Sequence, residues 1–140
     1  MTTAITGFKG EYRWLSNFWI APITYEGMTA PTNEHIYQAC KTLIPEERAV
    51  ILSLKTPSVA KLAGKRITLR KDWELVKNVL MWELQWEKYT QHSDLRNKLK
   101  ATGKAYIEET NTWGDSYWGV CNGVGQNRLG VILMDVRSKL

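Results

Sequence analysis

The stretch Pro31-Thr32-Asn33-Glu34-His35-Ile36-Tyr37-Gln38-Ala39-Cys40-Lys41 decides how the rest of the chain is read. Pro31 cannot continue a helix from before it, Thr32 and Asn33 are both N-cap residues, and the residues from there to Leu43 have helical character. Glu34 then falls in the first turn. At about 100° per residue, Glu34, Tyr37, Gln38 and Lys41 share one face, while Ile36, Ala39, Cys40 and Leu43 turn towards a core. One face carries a carboxylate, a phenol, an amide and an ammonium in a row. The backbone N–H groups and macrodipole of a first turn favour the carboxylate as its anion, so Glu34 reads as a base or acceptor rather than a donor acid. The alternative is a solvated face, and the rest of the chain decides between them.

The chain has 140 residues, 44% of them hydrophobic, which is enough for one globular domain (1–140) with a proper core. It contains no apolar run of about 18 residues, and its start lacks the charged and apolar regions of a secretory signal, so a soluble, cytoplasmic protein with no membrane partner is expected. Cys40 and Cys121 are far apart, without a Cys-x-x-Cys or a nearby histidine pair, and read as reduced packing residues. No metal site and no cofactor is called for. The net charge of +5 favours anionic partners such as phosphates, nucleotides or nucleic acid. Of seven tryptophans, Trp73, Trp82 and Trp86 fall in a helical stretch, whereas Trp14, Trp19, Trp113 and Trp118 lie beside turn residues, where they are candidates to stack on a flat ligand.

From the N-terminus, Ile5 to Trp19 reads as short strands broken at Ser16-Asn17, and Ile20 to Met28 as a ribbon turning at Glu26-Gly27. After the Thr32 helix, Pro45 opens a second helix and Thr56-Pro57 a third, closed by Gly64. Lys61, Lys65, Arg66, Arg70 and Lys71 make the most basic part of the chain, either a solvated connection or a phosphate-facing rim. Asp72 caps the longest helix, 73 to about 89. Its apolar positions span about 220°, leaving a strip of Glu74, Lys77, Asn78, Met81, Gln85 and Lys88 for water. Glu83 and Glu87 project into the apolar arc and need partners, either basic residues or the site itself. A shorter helix runs to Lys100, and Ala105 to Glu109 is a strand. A glycine loop (Gly123, Gly125) then leads into a terminal helix from about Asn127 to Lys139, an arrangement suited to holding phosphate through backbone N–H groups. The fold expected is α+β and mostly helical, with about six helices and short antiparallel strands from the N-terminal part and residues 105–109.

Six segments, in order and spacing, resemble the NADAR family: Leu15-Ser16-Asn17-Phe18, Glu34-His35-x-Tyr37-Gln38-Ala39-x-Lys41, Asp72-Trp73-x-x-x-Lys77, Thr102-Gly103, Asp115-x-x-Trp118-Gly119 and Gly125-x-Asn127-x-Leu129-Gly130-x-x-Leu133-Met134. The resemblance covers nearly the whole chain and implies an N-glycosidase. Family members are associated with releasing the base from ribose 5-phosphate in early phosphoribosylamino-pyrimidine intermediates of riboflavin synthesis, others with removing ADP-ribose from guanine in nucleic acid. A non-catalytic module binding ADP-ribose or NAD is the competing class.

The residues themselves suit that chemistry. Hydrolysis of an N-glycosidic bond passes through an oxocarbenium-like state, and so uses a carboxylate near the anomeric carbon, a water, and a donor or stacking surface for the leaving base. Glu34 is assigned the water-activating or cation-stabilising role, with Asp115 as the second carboxylate or as a ligand of ribose hydroxyls. Trp118, with Trp14 or Phe18, stacks the base. Lys41 with Asn127 and the Gly125 loop holds phosphate, or else Lys41 forms a Schiff base with the ring-opened ribose. The clamp is the preferred role, since nothing in the sequence argues for a depressed lysine pKa. Ser16, Asn17, Tyr37, Gln38 and Gly119 complete the expected substrate contacts.

Overall fold

The computed structural model describes residues 3–140. It is α+β and mostly helical, and it comprises two compact units, one of residues 17–91 and one of residues 3–16 with 92–140. Among the described residues no helix is long and apolar enough to cross a membrane.

The 17–91 unit starts with an antiparallel hairpin, strands β2 (Ile23–Tyr25) and β3 (Met28–Ala30), in register Ile23 to Ala30 and Tyr25 to Met28. Glu26 and Gly27 both take positive φ, 48° and 78°, as a two-residue loop matching strand twist requires. Helix α1 (Asn33–Ala39) comes next, capped as the sequence indicates: the Thr32 hydroxyl accepts from the His35 backbone N–H at 3.2 Å. His35 Nε2 lies 2.8 Å from the Leu54 carbonyl, which only accepts, so Nε2 carries the proton and Nδ1 accepts from the Thr32 hydroxyl at 2.7 Å. Every residue of α1 is buried, so this short helix is the centre of its unit. It stops at Ala39, four residues before Leu43, which is exposed, and Lys41 sits in the turn beyond. Arg70 fixes that turn: its backbone N–H donates to the Lys41 carbonyl at 2.7 Å, and its guanidinium grips Asp72 at 2.7 and 3.0 Å. Helices α2 (Pro45–Leu52) and α3 (Pro57–Ala63) each begin on proline, where a missing N–H costs no helical bond.

Helix α4 (Trp73–Gln91) corrects the orientation read from the sequence. Met81, Gln85 and Lys88, assigned to water, are buried, while Leu75 and Val79, assigned to the core, are 84% and 63% exposed. The reason is a polar network: Gln85 Nε2 donates to Asn17 Oδ1 at 2.6 Å, and Asn33 Nδ2 donates to the same oxygen at 3.3 Å. A helix apolar over most of its circumference has no strong preference for its buried side, and satisfied amides set it. Glu83 accepts from the Tyr25 hydroxyl at 3.1 Å and Glu87 from the Gln91 amide. Trp82 and Trp86 stack on each other at 5.5 Å.

Lys88 is 1% exposed, and burial pushes its ammonium down to about 7. The unfolded chain keeps that proton up to the ordinary value of 10.5, so it binds more protons than the folded chain between these limits. Stability therefore rises with pH from about 7 to 10.5, by up to ~1.4 kcal/mol per pH unit, and this contribution is absent below 7. Urea melts between pH 7 and 9.5 are expected to show a shallower rise in unfolding free energy for Lys88→Met than for the wild type. Parallel curves would mean that Lys88 keeps its proton in the fold.

In the second unit, β1 (Ala4–Thr6) pairs with β4 (Tyr106–Glu108), and β5 (Thr110–Asn111) with β6 (Val120–Cys121); both pairs are parallel rather than antiparallel. Gly10–Leu15, read as strand, is a 3-10 helix with Trp14 and Leu15 buried. Its buried apolar residues, Trp14 and Leu15, are adjacent rather than alternating, which a short helix buries as well as a strand would. Helices α5 (Ser93–Ala101) and α6 (Arg128–Lys139) complete the unit. Gly130 lets α6 lie close on β4, where a Cβ would stand 2.1 Å from the Ile107 carbonyl.

Candidate active site

The 17–91 unit brings together the residues singled out on α1. Glu34 is 7% exposed, and one of its oxygens accepts from Gln38 Nε2 at 2.5 Å. The backbone N–H of Glu34 donates to the Asn17 carbonyl at 3.1 Å, which ties the motif residue Asn17 to the start of the helix. Lys41 places its Nζ 5.4 Å from the Tyr37 ring and 6.0 Å from the Trp73 ring, and Tyr37 meets Trp73 edge-on at 5.3 Å. Lys61 of α3 lies over the half-exposed Phe18 ring at 5.9 Å. A buried carboxylate fixed by an amide, next to an ammonium on aromatic faces, is a polar cluster of the kind that binds and polarises a small ligand.

The electrostatics of Lys41 differ from the sequence expectation. Its pKa is lowered: burial is the largest cause, Glu34 comes next and acts in the raising direction, and the charges of Lys61, Lys65 and Lys77 add to the lowering. Free amine is therefore available at lower pH than for an ordinary lysine.

Gly64 holds this arrangement from α3. A Cβ there would fall 1.8 Å from Gln38 Oε1 and 2.7 Å from its Cδ, although the backbone at φ −62° and ψ −13° suits any residue. Gly64→Ala is expected to force the Gln38 amide away from Glu34. A kcat loss of about tenfold should result, with overpacking costing ~1–3 kcal/mol. Steady-state kinetics beside thermal melts checks this; unchanged kcat would mean that the Glu34–Gln38 bond does not matter to turnover.

The remaining motif residues lie in the other unit. Asp115 Oδ1 accepts from the backbone N–H groups of Tyr117 and Trp118 at 3.0 and 2.9 Å, so one oxygen of this carboxylate organises its own loop. Trp118 is half-buried and meets Tyr117 edge-on at 4.9 Å. Ser16 closes the 3-10 helix with a backbone bond to the Arg13 carbonyl at 3.1 Å. Gly119 and Gly125 are places of close approach: a Cβ on Gly119 would stand 1.8 Å from Glu109 Oε2, and one on Gly125 2.1 Å from the Gly119 carbonyl. Asn127 is 5% exposed and its side chain bonds β4 and the residue after it, accepting from the Glu109 N–H at 2.9 Å and donating to the Ile107 carbonyl at 2.9 Å.

At the start of α6, where a phosphate cradle is expected, four backbone donors are taken up by the chain itself. The N–H groups of Gln126, Asn127, Arg128 and Leu129 donate to the carbonyls of Ser116, Gly119, Tyr117 and Trp118 at 2.8 to 3.2 Å. Those are the donors a phosphate would take at a helix start. Sequence reasoning missed the Asn17–Asn33–Gln85 network and the closeness of Gly64 to Gln38; a polar strip on an otherwise apolar helix was the available signal for the first, and nothing local signalled the second. A largely apolar groove of about 590 Å³ between α2 and α3, lined by Val50, Ile51, Leu54, Val59 and Leu62 among others, includes Arg66 of the basic stretch but none of the residues expected to bind or act on substrate.

Fold and site together define a small α+β protein with a buried acid–amide pair beside a depressed lysine. The chain belongs to the NADAR domain family, whose sequence model matches residues 7–140. It is 42% identical over 133 residues to the N-glycosidase YbiA of Shigella flexneri serotype 5b (strain 8401), covering 93% of this chain and 82% of that protein. A more distant relative, the riboflavin biosynthesis protein VVA0006 of Vibrio vulnificus (strain YJ016), is 32% identical over 133 residues, which cover 93% of this chain and 36% of that one. The NMR structure of the Escherichia coli protein YbiA superposes with a TM-score of 0.88 at 39% identity, covering 99% of this chain and 86% of its own. By this kinship the chain is an N-glycosidase, a hydrolase of N-glycosyl compounds.

Proposed function

We propose that the protein hydrolyses the N-glycosidic bond between a pyrimidine-type base and ribose 5-phosphate, in the early phosphoribosylamino-pyrimidine intermediates of riboflavin synthesis. The observation that carries this reading is the Glu34–Gln38 pair beside Lys41, an amine of lowered pKa. The riboflavin biosynthesis name of the more distant relative supports the choice of substrate.

The chemistry rests on what each group does. The free amine of Lys41 attacks the anomeric carbon as the bond to the base breaks, and the base leaves with the electron pair and takes up a proton. Ring opening of the resulting glycosyl-lysine gives an imine, and water adds to it, releasing ribose 5-phosphate and regenerating the amine. Glu34, anionic in the first turn of α1, stabilises the positive charge developing on the sugar and takes a proton from the incoming water. Gln38 fixes the orientation of that carboxylate.

A turnover screen tests the reading: phosphoribosylamino-pyrimidines, ADP-ribosylated guanosine and NAD are offered separately and free base is measured. Release of base from the first, and not from the others, is the expected result. Release only from ADP-ribosylated guanosine would move the substrate to modified nucleic acid, for which the net charge of +5 is also suited. Tight binding without release from any of the three would make the chain a binding module.

A further inference from the structure

Glu34 is held at two points. Gln38 Nε2 bonds its carboxylate, and the Asn17 carbonyl takes its backbone N–H at 3.1 Å. The second contact matters because the first N–H groups of a helix have no partner inside it. The Thr32 hydroxyl takes the His35 N–H, so the backbone at Glu34 follows wherever Asn17 stands.

Asn17 is in turn held by its side chain, from a residue 68 positions later. One fixed acceptor settles how these amides are oriented. The Leu84 carbonyl only accepts, so the Asn33 atom 3.3 Å from it is Nδ2. The same nitrogen lies 3.3 Å from Asn17, whose facing atom is then Oδ1, and Gln85, 2.6 Å from that oxygen, must present Nε2. Asn17 Nδ2 is left to the Met81 sulfur at 3.5 Å, a weak acceptor. Gln85 and Asn33 are buried, and neither Gln85 Oε1 nor Asn33 Oδ1 receives a donor from the described residues. Two amides thus converge their nitrogens on one oxygen of Asn17 while their own oxygens gain no bond. Packing alone does not explain that choice, since an apolar side chain fills the same space without a buried polar atom.

We propose that Gln85 and Asn33 are positioning residues for the reaction: their amides fix Asn17, whose carbonyl sets the backbone of Glu34 and with it the carboxylate. This rests on the role given to Glu34 in the glycosidase reading, while the coupling of Gln85 to Glu34 rests on the hydrogen bonds alone. A misplacement of about 1 Å in a catalytic group costs on the order of 10²-fold in rate, so even a smaller shift of Glu34 is visible in kcat. Gln85 makes the shorter bond to Asn17, and it is the residue to test.

Gln85→Met keeps the length of the side chain and removes the donor. Amide hydrogen exchange followed by NMR reads the positioning without substrate: in this variant the Glu34 N–H should exchange at least tenfold faster, while the His35 N–H, held by Thr32, keeps its rate. For base release, kcat per folded protein should fall roughly tenfold or more, with KM little changed. Leu80→Ala, a buried position of α4 outside the amide network, supplies a general loss of stability for comparison and should alter neither readout. Gln85→Glu adds a pH signature, because its carboxyl donates to Asn17 only while protonated. The ratio of its kcat to that of the wild type should be near one at low pH, then fall as the carboxyl ionises or stay level while burial keeps the proton on. The inference is overturned if Gln85→Met leaves Glu34 exchange or kcat unchanged, if His35 exchange rises equally, if Leu80→Ala has the same effects, or if the Gln85→Glu ratio is already low in acid. Failure of the glycosidase reading looks different: the wild type then releases no base, and the exchange rates still decide whether Gln85 positions Glu34.

Discussion

Glu34→Gln is expected to lower kcat by a factor on the order of 10² to 10⁴, the range in which positioned acid–base groups act, with a melting temperature close to that of the wild type. The structure makes this substitution a clean one. Glu34 is buried, and the oxygen it offers Gln38 Nε2 can be supplied equally by the carbonyl of a glutamine, so shape and hydrogen bond both survive and the negative charge alone is lost. A truncation such as Glu34→Ala would instead leave the Gln38 amide without its acceptor inside the fold, mixing a stability defect into the kinetics. Because a charge that stabilises the transition state more than the bound substrate affects kcat, KM should move little. Rates within a factor of about two of the wild type, measured with the phosphoribosylamino-pyrimidine, would remove Glu34 from the chemistry.

Much of the candidate site was legible because its signals are local. Thr32 caps α1 through one hydroxyl, Glu26-Gly27 turns the hairpin through two positive φ values, and the face that carries Glu34 and Gln38 is set by helical spacing. The number of α-helices, their order and most of their starts were equally readable, since proline and threonine mark starts within a residue or two. What escaped the sequence depends on partners distant in the chain. The buried side of α4 is chosen by Asn17, 68 residues before Gln85. Parallel pairing of β1 with β4 joins segments about a hundred residues apart, for which no turn chemistry gives a cue. A loop before a helix looks alike in sequence whether the donors that follow it face a ligand or a neighbouring loop; here the carbonyls of residues 116–119 take the N–H groups of residues 126–129.

Lys41→Arg is expected to reduce turnover to background, with substrate binding kept. The sequence alone favoured a phosphate clamp for Lys41, a role in which arginine would retain much of the activity, since charge and reach are similar. The structure changes the balance. Burial disfavours the ammonium most strongly, the opposing attraction of Glu34 comes next, and the charges of Lys61, Lys65 and Lys77 add to burial, so the balance is a lowered pKa. The aromatic faces of Tyr37 and Trp73 also favour the cation, but at 5.4 and 6.0 Å they act near the limit of such contacts. A folded pKa below the ordinary 10.5 means that the population of free amine grows as pH rises through that lowered value. A nucleophilic Lys41 thus predicts kcat/KM rising with pH in the alkaline range and levelling before 10.5, whereas a clamp, needing the ammonium, predicts a fall over the same range. Arginine cannot report either limb, because it stays protonated and forms no imine. Borohydride added during turnover should reduce the imine to a stable secondary amine, trapping the ribose phosphate on Lys41 of the wild type, as mass spectrometry of the digested protein would show. An active arginine variant, no trapped adduct and a falling alkaline limb would together return Lys41 to the clamp and leave water, activated by Glu34, as the direct nucleophile.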